Sequence, residues 1–188
     1  ACHGAQPERG DNAIYRMLPL AQALRDELAP ELVARRHPVL GRASLNLGVL
    51  QGGRDLNIVP DFCRAGLDIR LHPDVGPREV LARLRELARK HAPRTRLRIH
   101  RTGPSFVTSR DHEWAKALRG AGRGWAAADW FCDANVFAAG GIPAVAFGPG
   151  DIAQAHTRDE FIRESDLRDG AEAFLRFLTA GRSAKERV

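Results

Sequence analysis

The chain is 188 residues long, room for one large domain or two small ones at roughly 100–200 residues each. A composition of 44% apolar and 28% charged residues excludes a collagen, a coiled coil and a disordered tail, and no apolar run approaches the ~18 residues of a membrane span. The net charge of +6 comes from basic residues scattered beside acids, as in Arg25-Asp26-Glu27, with no aromatic ladder for stacking bases, so it reads as solvated surface and neither a nucleic-acid nor a membrane partner is expected.

In chain order, residues 11–29 read as a helix, with Asp11 as its cap and Ile14, Leu18, Ala21, Leu24 and Leu28 on one face. Pro19 is expected to kink this helix or to mark its true start. Ser44–Gln51 alternates as a half-buried strand, with Leu45, Leu47 and Val49 inward. A stronger strand follows at 62–71: Cys63, Ala65, Leu67, Ile69 and Leu71 share one face, Arg64, Asp68 and Arg70 the other. Pro77 opens a helix whose core stripe is Val80, Leu81, Leu84, Leu87 and Ala88. Leu97 and Ile99 alternate with Arg98 and His100 in a further strand. The order of elements predicts a two-layer α/β sandwich, with helices on one face of a largely antiparallel sheet.

Gly103-Pro104-Ser105 breaks the pattern and places a domain boundary near residue 105. Beyond it the spacing predicts a helix capped near Asp111 with Trp114, Ala117 and Leu118 inward, then a short strand at Ala144–Phe147. A last helix is capped by Ser165, carries Leu167, Ala171, Phe174, Leu175 and Leu178 on its apolar face, and stops at Gly181. So few strands make this second part, 106–188, look like half of a domain.

Chemistry-bearing residues are sparse. His156 follows the glycine-rich loop Gly148-Pro149-Gly150; its imidazole suits zinc, with Asp159 or Glu160 able to orient its second nitrogen, although a lone histidine also reads as a surface residue. Asn57 can bind a carbonyl or carboxylate through its amide, and Arg70 can clamp a carboxylate bidentately; singly, each also reads as a turn residue or a solvated charge. His72-Pro73-Asp74 has a metal-site spacing but reads as a turn, and there is no Glu-Glu dipeptide. Cys2, Cys63 and Cys132 form no C-x-x-C pair and are odd in number, which points to a reducing, cytoplasmic compartment. The chain opens Ala1-Cys2-His3-Gly4 with its single methionine at 17, and that opening lacks the basic and apolar regions of a signal peptide.

Taken together, an ordered set of motifs resembles the zinc aminoacylase, acetylornithine deacetylase and succinyl-diaminopimelate desuccinylase family of metallopeptidases. The set comprises Cys2-His3-Gly4-Ala5-Gln6-Pro7 with Gly10-Asp11-Asn12-Ala13-Ile14, Gln51-Gly52-Gly53 with Asn57-Ile58-Val59-Pro60-Asp61, and Asp68-Ile69-Arg70. It continues with Asp133-Ala134, Gly141-Ile142-Pro143, and Phe147-Gly148-Pro149-Gly150 leading to Ala155-His156-Thr157 and Glu160. The resemblance implies a lid domain over 1–105 that mediates homodimerisation and lacks its first strand or two. It implies the C-terminal part of a zinc-peptidase-like α/β catalytic domain over 106–188. By the same resemblance His156 is a metal ligand, and His3 is the catalytic histidine that reaches the partner's active site. Asn57 and Arg70 hold the substrate's carboxylate, Gly148 and Gly150 line the pocket, and two divalent ions, Zn or Co, serve the complete protein. The expected activity is hydrolysis of the amide bond of an N-acyl amino acid or small peptide. The family's H-x-D motif, bridging aspartate and adjacent glutamates are missing here, so the chain is expected to be a fragment that does not act alone. The alternative is a non-enzymatic dimerisation module with a vestigial catalytic remnant.

Overall fold

The computed structural model describes residues 1–185, with side chains through Thr179, and the chain divides into two compact units, Ala1–Ser105 and Phe106–Val188. The architecture is mixed α/β. In the first unit a short strand β1 (Cys2–His3) and a 3₁₀ turn at Pro7–Arg9 precede α1 (Ala13–Ala23). Asn12, not Asp11, caps this helix: its Oδ1 accepts from the N–H groups of Ile14 (3.0 Å) and Tyr15 (3.2 Å). Only the residue directly before the first helical one can reach those orphan donors, and that residue is Asn12. Asp11 instead pairs with Arg16 (3.0 Å) and Arg94 (2.6 Å).

Pro19 lies within α1 and does not mark its start. The departure from α geometry comes later, in a π turn over Leu24–Leu28, before α2 (Ala29–Ala34) resumes. A proline ring crowds the carbonyl four residues back, and the widened turn ahead of Pro30 makes room for it.

The sheet is more divided than the alternation predicts. Three antiparallel two-stranded pieces form: β1 with β5 (Ile58–Val59), β2 (Arg36–His37) with β3 (Gly41–Arg42), and β4 (Ser44–Gly52) with β6 (Cys63–Arg70). Leu97 and Ile99 lie outside any strand and are exposed. An alternating segment becomes a strand only when a neighbour takes up its backbone groups, and no described segment pairs with this one. Val49 also departs from expectation. The register steps from Leu47↔Leu67 to Val49↔Gly66, so Gly48 is a bulge and the side chain after it changes face; Val49 is 46% exposed.

The core lies between the helices and one face of β4–β6. Leu20, Leu24, Leu28 and Leu32 meet Val80, Leu84, Leu87 and Ala88 of α3 (Pro77–His91), with Leu45, Ala65, Leu67 and Ile69 packed against them from the sheet. Leu87 is completely buried, whereas Leu81 is only partly so. Around this core Arg83 gathers Glu27 (3.0 Å), Glu31 (2.7 Å) and Glu86 (3.0 Å), and hydrogen bonds to Glu31 and Glu86 push its guanidinium further up. His72 sits in the turn the sequence predicts, yet it is buried, its Nε2 3.3 Å from the Arg35 carbonyl.

The second unit contains α4 (Glu113–Ala121), α5 (Asp133–Ala139), a 3₁₀ turn at Ile152–Gln154 and α6 (Glu164–Lys185). His112 holds the cap position of α4, and Asp111 pairs with Lys116 at 3.1 Å. Trp114 is half exposed, packing edge-on against Phe177 with ring centroids 5.7 Å apart. The residues buried here are small: Ala115, Ala121 and Ala173. Residues 144–147 form no strand, and the Ala144 carbonyl accepts from the Thr108 hydroxyl. Helix α6 already includes Ser165 and continues through Gly181. Leu167, Ala171, Phe174, Leu175 and Leu178 are exposed on it, because none of the described residues of this unit supplies a layer to cover them.

Candidate functional site

The candidate residues fall into three groups. The first is built by the β1–β5 ladder, which pairs His3 with Ile58 and Cys2 with Val59. Next along the chain from this ladder, Gly4 meets Asn57. The Gly4 N–H donates to the Asn57 carbonyl at 2.6 Å, and a Cβ on Gly4 would stand 3.0 Å from that carbonyl's carbon and oxygen. Glycine is therefore what lets the two backbones approach. The exposed His3 ring accepts the Ala5 N–H at Nδ1 (3.1 Å). In the neutral ring the proton then resides on Nε2, leaving that nitrogen as a hydrogen-bond donor.

Arg70 belongs to a second place. It ends β6 on the face away from the core, opposite Ser44 of β4. Its Nε and Nη2 donate to Oδ2 of Asp68 at 3.0 and 2.9 Å. The β1–β5 ladder that holds His3 does not include Arg70. The partnership with Asp68 was legible in principle, since residues two apart on a strand share a face.

Gly148, Gly150 and His156 form the third group, in the second unit. Gly150 has φ +96°, a conformation that only glycine adopts at little cost, whereas Gly148 has open space around it. Pro149 between them packs against α6: a Cβ on Gly170 would stand 2.8 Å from the Pro149 ring. His156 lies within a tightly bonded turn. Asp151 accepts from Ala153 N–H (2.9 Å), and the Gln154 carbonyl accepts from both the N–H (3.2 Å) and hydroxyl (2.8 Å) of Thr157. His156 itself has φ 66°, the one positive value among the described non-glycine residues. Strain of this kind persists where surrounding bonds over-determine it, and it clusters at functional sites. Glu160 supplies one such bond, taking the backbone N–H of His156 at 2.9 Å rather than a ring nitrogen.

These residues do not make a metal centre by themselves. Among the described residues no three His, Cys, Asp or Glu side chains are grouped to hold an ion, and a catalytic zinc ordinarily needs three protein ligands. Nor, among them, is any helix long and apolar enough to cross a membrane.

Comparison with known proteins completes the description. Residues 1–96 match the Peptidase dimerisation domain family. The acetylornithine deacetylase of Myxococcus xanthus is 31% identical over 176 residues, covering 88% of this chain and 46% of the relative. That of Vibrio atlanticus is 27% identical over 170 residues, covering 85% of this chain and 44% of the relative. The chain thus spans about half the length of these curated relatives. In fold it is similar to an M20 family metallo-carboxypeptidase from Sulfolobus solfataricus (TM-score 0.75, 17% identity, 94% of this chain and 54% of that one). It is also similar to aminopeptidase PepT from Bacillus cereus (TM-score 0.67, 21% identity, 94% of this chain and 47% of that one). With more than half of its residues inside that family match, the chain belongs to the peptidase dimerisation domain family of the M20 peptidases.

Proposed function

We propose that this chain is the lid and the C-terminal catalytic portion of a metal-dependent amidohydrolase that cleaves the amide bond of an N-acyl amino acid or small peptide. Residues 1–105 are the two-layer lid and carry the homodimer contact; residues 106–188 are the end of the catalytic domain. The observation that carries this reading is the identity to an acetylornithine deacetylase over 88% of the chain, a span that must take in both units. The bare apolar face of α6, with Phe174, Leu175 and Leu178 about half exposed or more, supports a catalytic unit that packs against further polypeptide.

Roles follow from chemistry. Amide hydrolysis builds negative charge on the carbonyl oxygen, and a donor aimed at it lowers the barrier. The Nε2–H of His3 is such a donor, and the ladder to Ile58 fixes its backbone. Asn57 and Arg70 receive the substrate's carboxylate end. Gly148 and Gly150 line the pocket, and His156 is one ligand of a pair of divalent ions, Zn or Co. The remaining ligands and the general base are assigned to further polypeptide of the complete protein, and on this reading the chain alone is inactive. The three unpaired cysteines, Cys2, Cys63 and Cys132, support a cytoplasmic location.

A second reading, a dimerisation module without catalysis, is favoured by the family match ending at residue 96. The two are separated by supplying the N-terminal half of the Myxococcus acetylornithine deacetylase, with zinc, to the 188-residue chain. Hydrolysis of N-acetylornithine by the mixture but by neither piece supports the enzyme, and His3→Ala should then cut kcat by roughly 10²–10³. A stable complex of the two pieces with no activity supports the module.

A further inference from the structure

The β2–β3 hairpin sets two cations against each other. Arg36 and Arg42 are Cα partners in its ladder, and both residues are exposed. Directly opposed residues project from one face with their Cβ atoms about 4.5–5.5 Å apart, and like charges so placed repel. Among the described residues neither guanidinium has a hydrogen bond or an ion pair, so no carboxylate offsets that repulsion. The backbone that carries them is anchored at the neighbouring positions. Arg35 donates to Glu79 (2.8 Å) and to the Asp74 carbonyl (2.8 Å), and Ala43 is buried. His37 projects to the other face, where its ring centroid lies 5.6 Å from that of the buried His72. Its Nδ1 accepts the N–H groups of Val39 and Leu40, each at 3.1 Å. The hairpin is thus a fixed platform that presents two uncommitted guanidinium groups side by side.

We propose that Arg36 and Arg42 form a clamp for a phosphate group, free or as a monoester, on the face of the β2–β3 hairpin away from His37. A carboxylate presents one edge, which a single guanidinium fork satisfies. A phosphate presents oxygens enough for a fork from each arginine, and its charge of about −1.5 to −2 near pH 7 offsets both cations. Binding therefore removes a repulsion as well as adding hydrogen bonds. The β2–β3 ladder shares no strand with the ladders that hold His3 and Arg70, and the clamp does not depend on the hydrolase reading.

The test measures binding and the urea midpoint of the 188-residue chain in inorganic phosphate and in methyl phosphate, against chloride at matched ionic strength. The wild-type chain should bind phosphate and gain stability in it beyond the chloride control. Arg36→Gln and Arg42→Gln should each weaken binding by roughly 10- to 100-fold, because hydrogen bonds to an ion are lost. In phosphate-free buffer at low salt the same variants should unfold at a higher urea concentration than wild type, since the opposed charges are gone. A misfolded variant would show no such gain. Arg85 is exposed on α3, and Arg85→Gln should leave phosphate binding at the wild-type level. Binding of the ester as well as the free ion assigns the clamp to phosphate monoesters; binding of the free ion alone assigns it to inorganic phosphate. No response to either probe beyond chloride overturns the proposal. So does wild-type affinity in Arg36→Gln and Arg42→Gln, or an equal loss in Arg85→Gln, which would make the response one of diffuse surface charge.

Discussion

The backbone of Gly4 lies directly on the carbonyl of Asn57, with the N–H of one donating to the oxygen of the other at 2.6 Å. This contact continues the β1–β5 ladder by one residue, setting Gly4 against Asn57 as His3 stands opposite Ile58, although these segments are far apart in the chain. A methyl group on Gly4 would meet Asn57 backbone atoms at 3.0 Å, and backbone cannot swing aside as a flexible side chain can. Gly4→Ala should therefore destabilise the first unit by about 1–3 kcal/mol, measured by urea denaturation, and displace the His3 and Asn57 amide resonances together.

Arg83 is the hub of a charge network, not one member of an isolated surface pair. Arg83→Met leaves Glu27, Glu31 and Glu86 without the cation they share. The expected loss is about 1 kcal/mol at low salt, shrinking in 1 M NaCl as the carboxylates are screened from one another. Denaturation of both proteins at the two salt concentrations checks this; equal losses at both would mean that the packing of the side-chain stem matters more than its charge.

Burial pushes the Cys63 thiol up. In the unfolded chain that thiol ionises near pH 8.5, so above this pH the unfolded state releases a proton that the folded state retains. Stability then falls as pH rises through that range, and below it the group contributes no pH dependence. Relative to Cys63→Ala, the wild-type chain should lose stability between about pH 8 and pH 10, and Cys63 should be alkylated more slowly than Cys2 or Cys132 in the folded state.

At His156 the backbone is left-handed, with φ 66°. A side chain there costs about 1–2 kcal/mol, part of which glycine would recover before its larger unfolded-state entropy offsets the gain. His156→Gly should leave the second unit as stable as wild type or up to about 1 kcal/mol more so, while His156→Ala keeps the strain. Chemical denaturation monitored by tryptophan fluorescence compares the two, Trp114, Trp125 and Trp130 all lying in this unit. Glycine proving less stable than alanine would show that no strain is stored at this position.

Local pattern was enough to place the long elements. The stripe Val80, Leu84, Leu87 and Ala88 on α3 and the alternation from Cys63 to Ile69 on β6 are statements about which side of an element is apolar, and burial follows that side. The glycine-rich loop and the histidine after it were legible for the same reason, because turn chemistry and imidazole are written in single residues.

What only the tertiary structure decided are the features that depend on a second piece of chain. The segment 97–100 has a strand's alternation and no neighbour to pair with, so it is not a strand; the bulge at Gly48 exists only as a mismatch with Gly66, and it turns Val49 outward. The apolar stripe of α6 predicts burial, but burial requires a covering layer that the described residues of its unit do not provide. The company each candidate residue keeps was settled in the same way: His3 opposite Ile58 through a backbone ladder, Asn57 against Gly4, Arg70 against Asp68, and the His156 N–H on Glu160. Composition, charge and periodicity are properties of a residue and its near neighbours, whereas pairing, register and covering depend on contacts between distant segments, which exist only once the chain is folded.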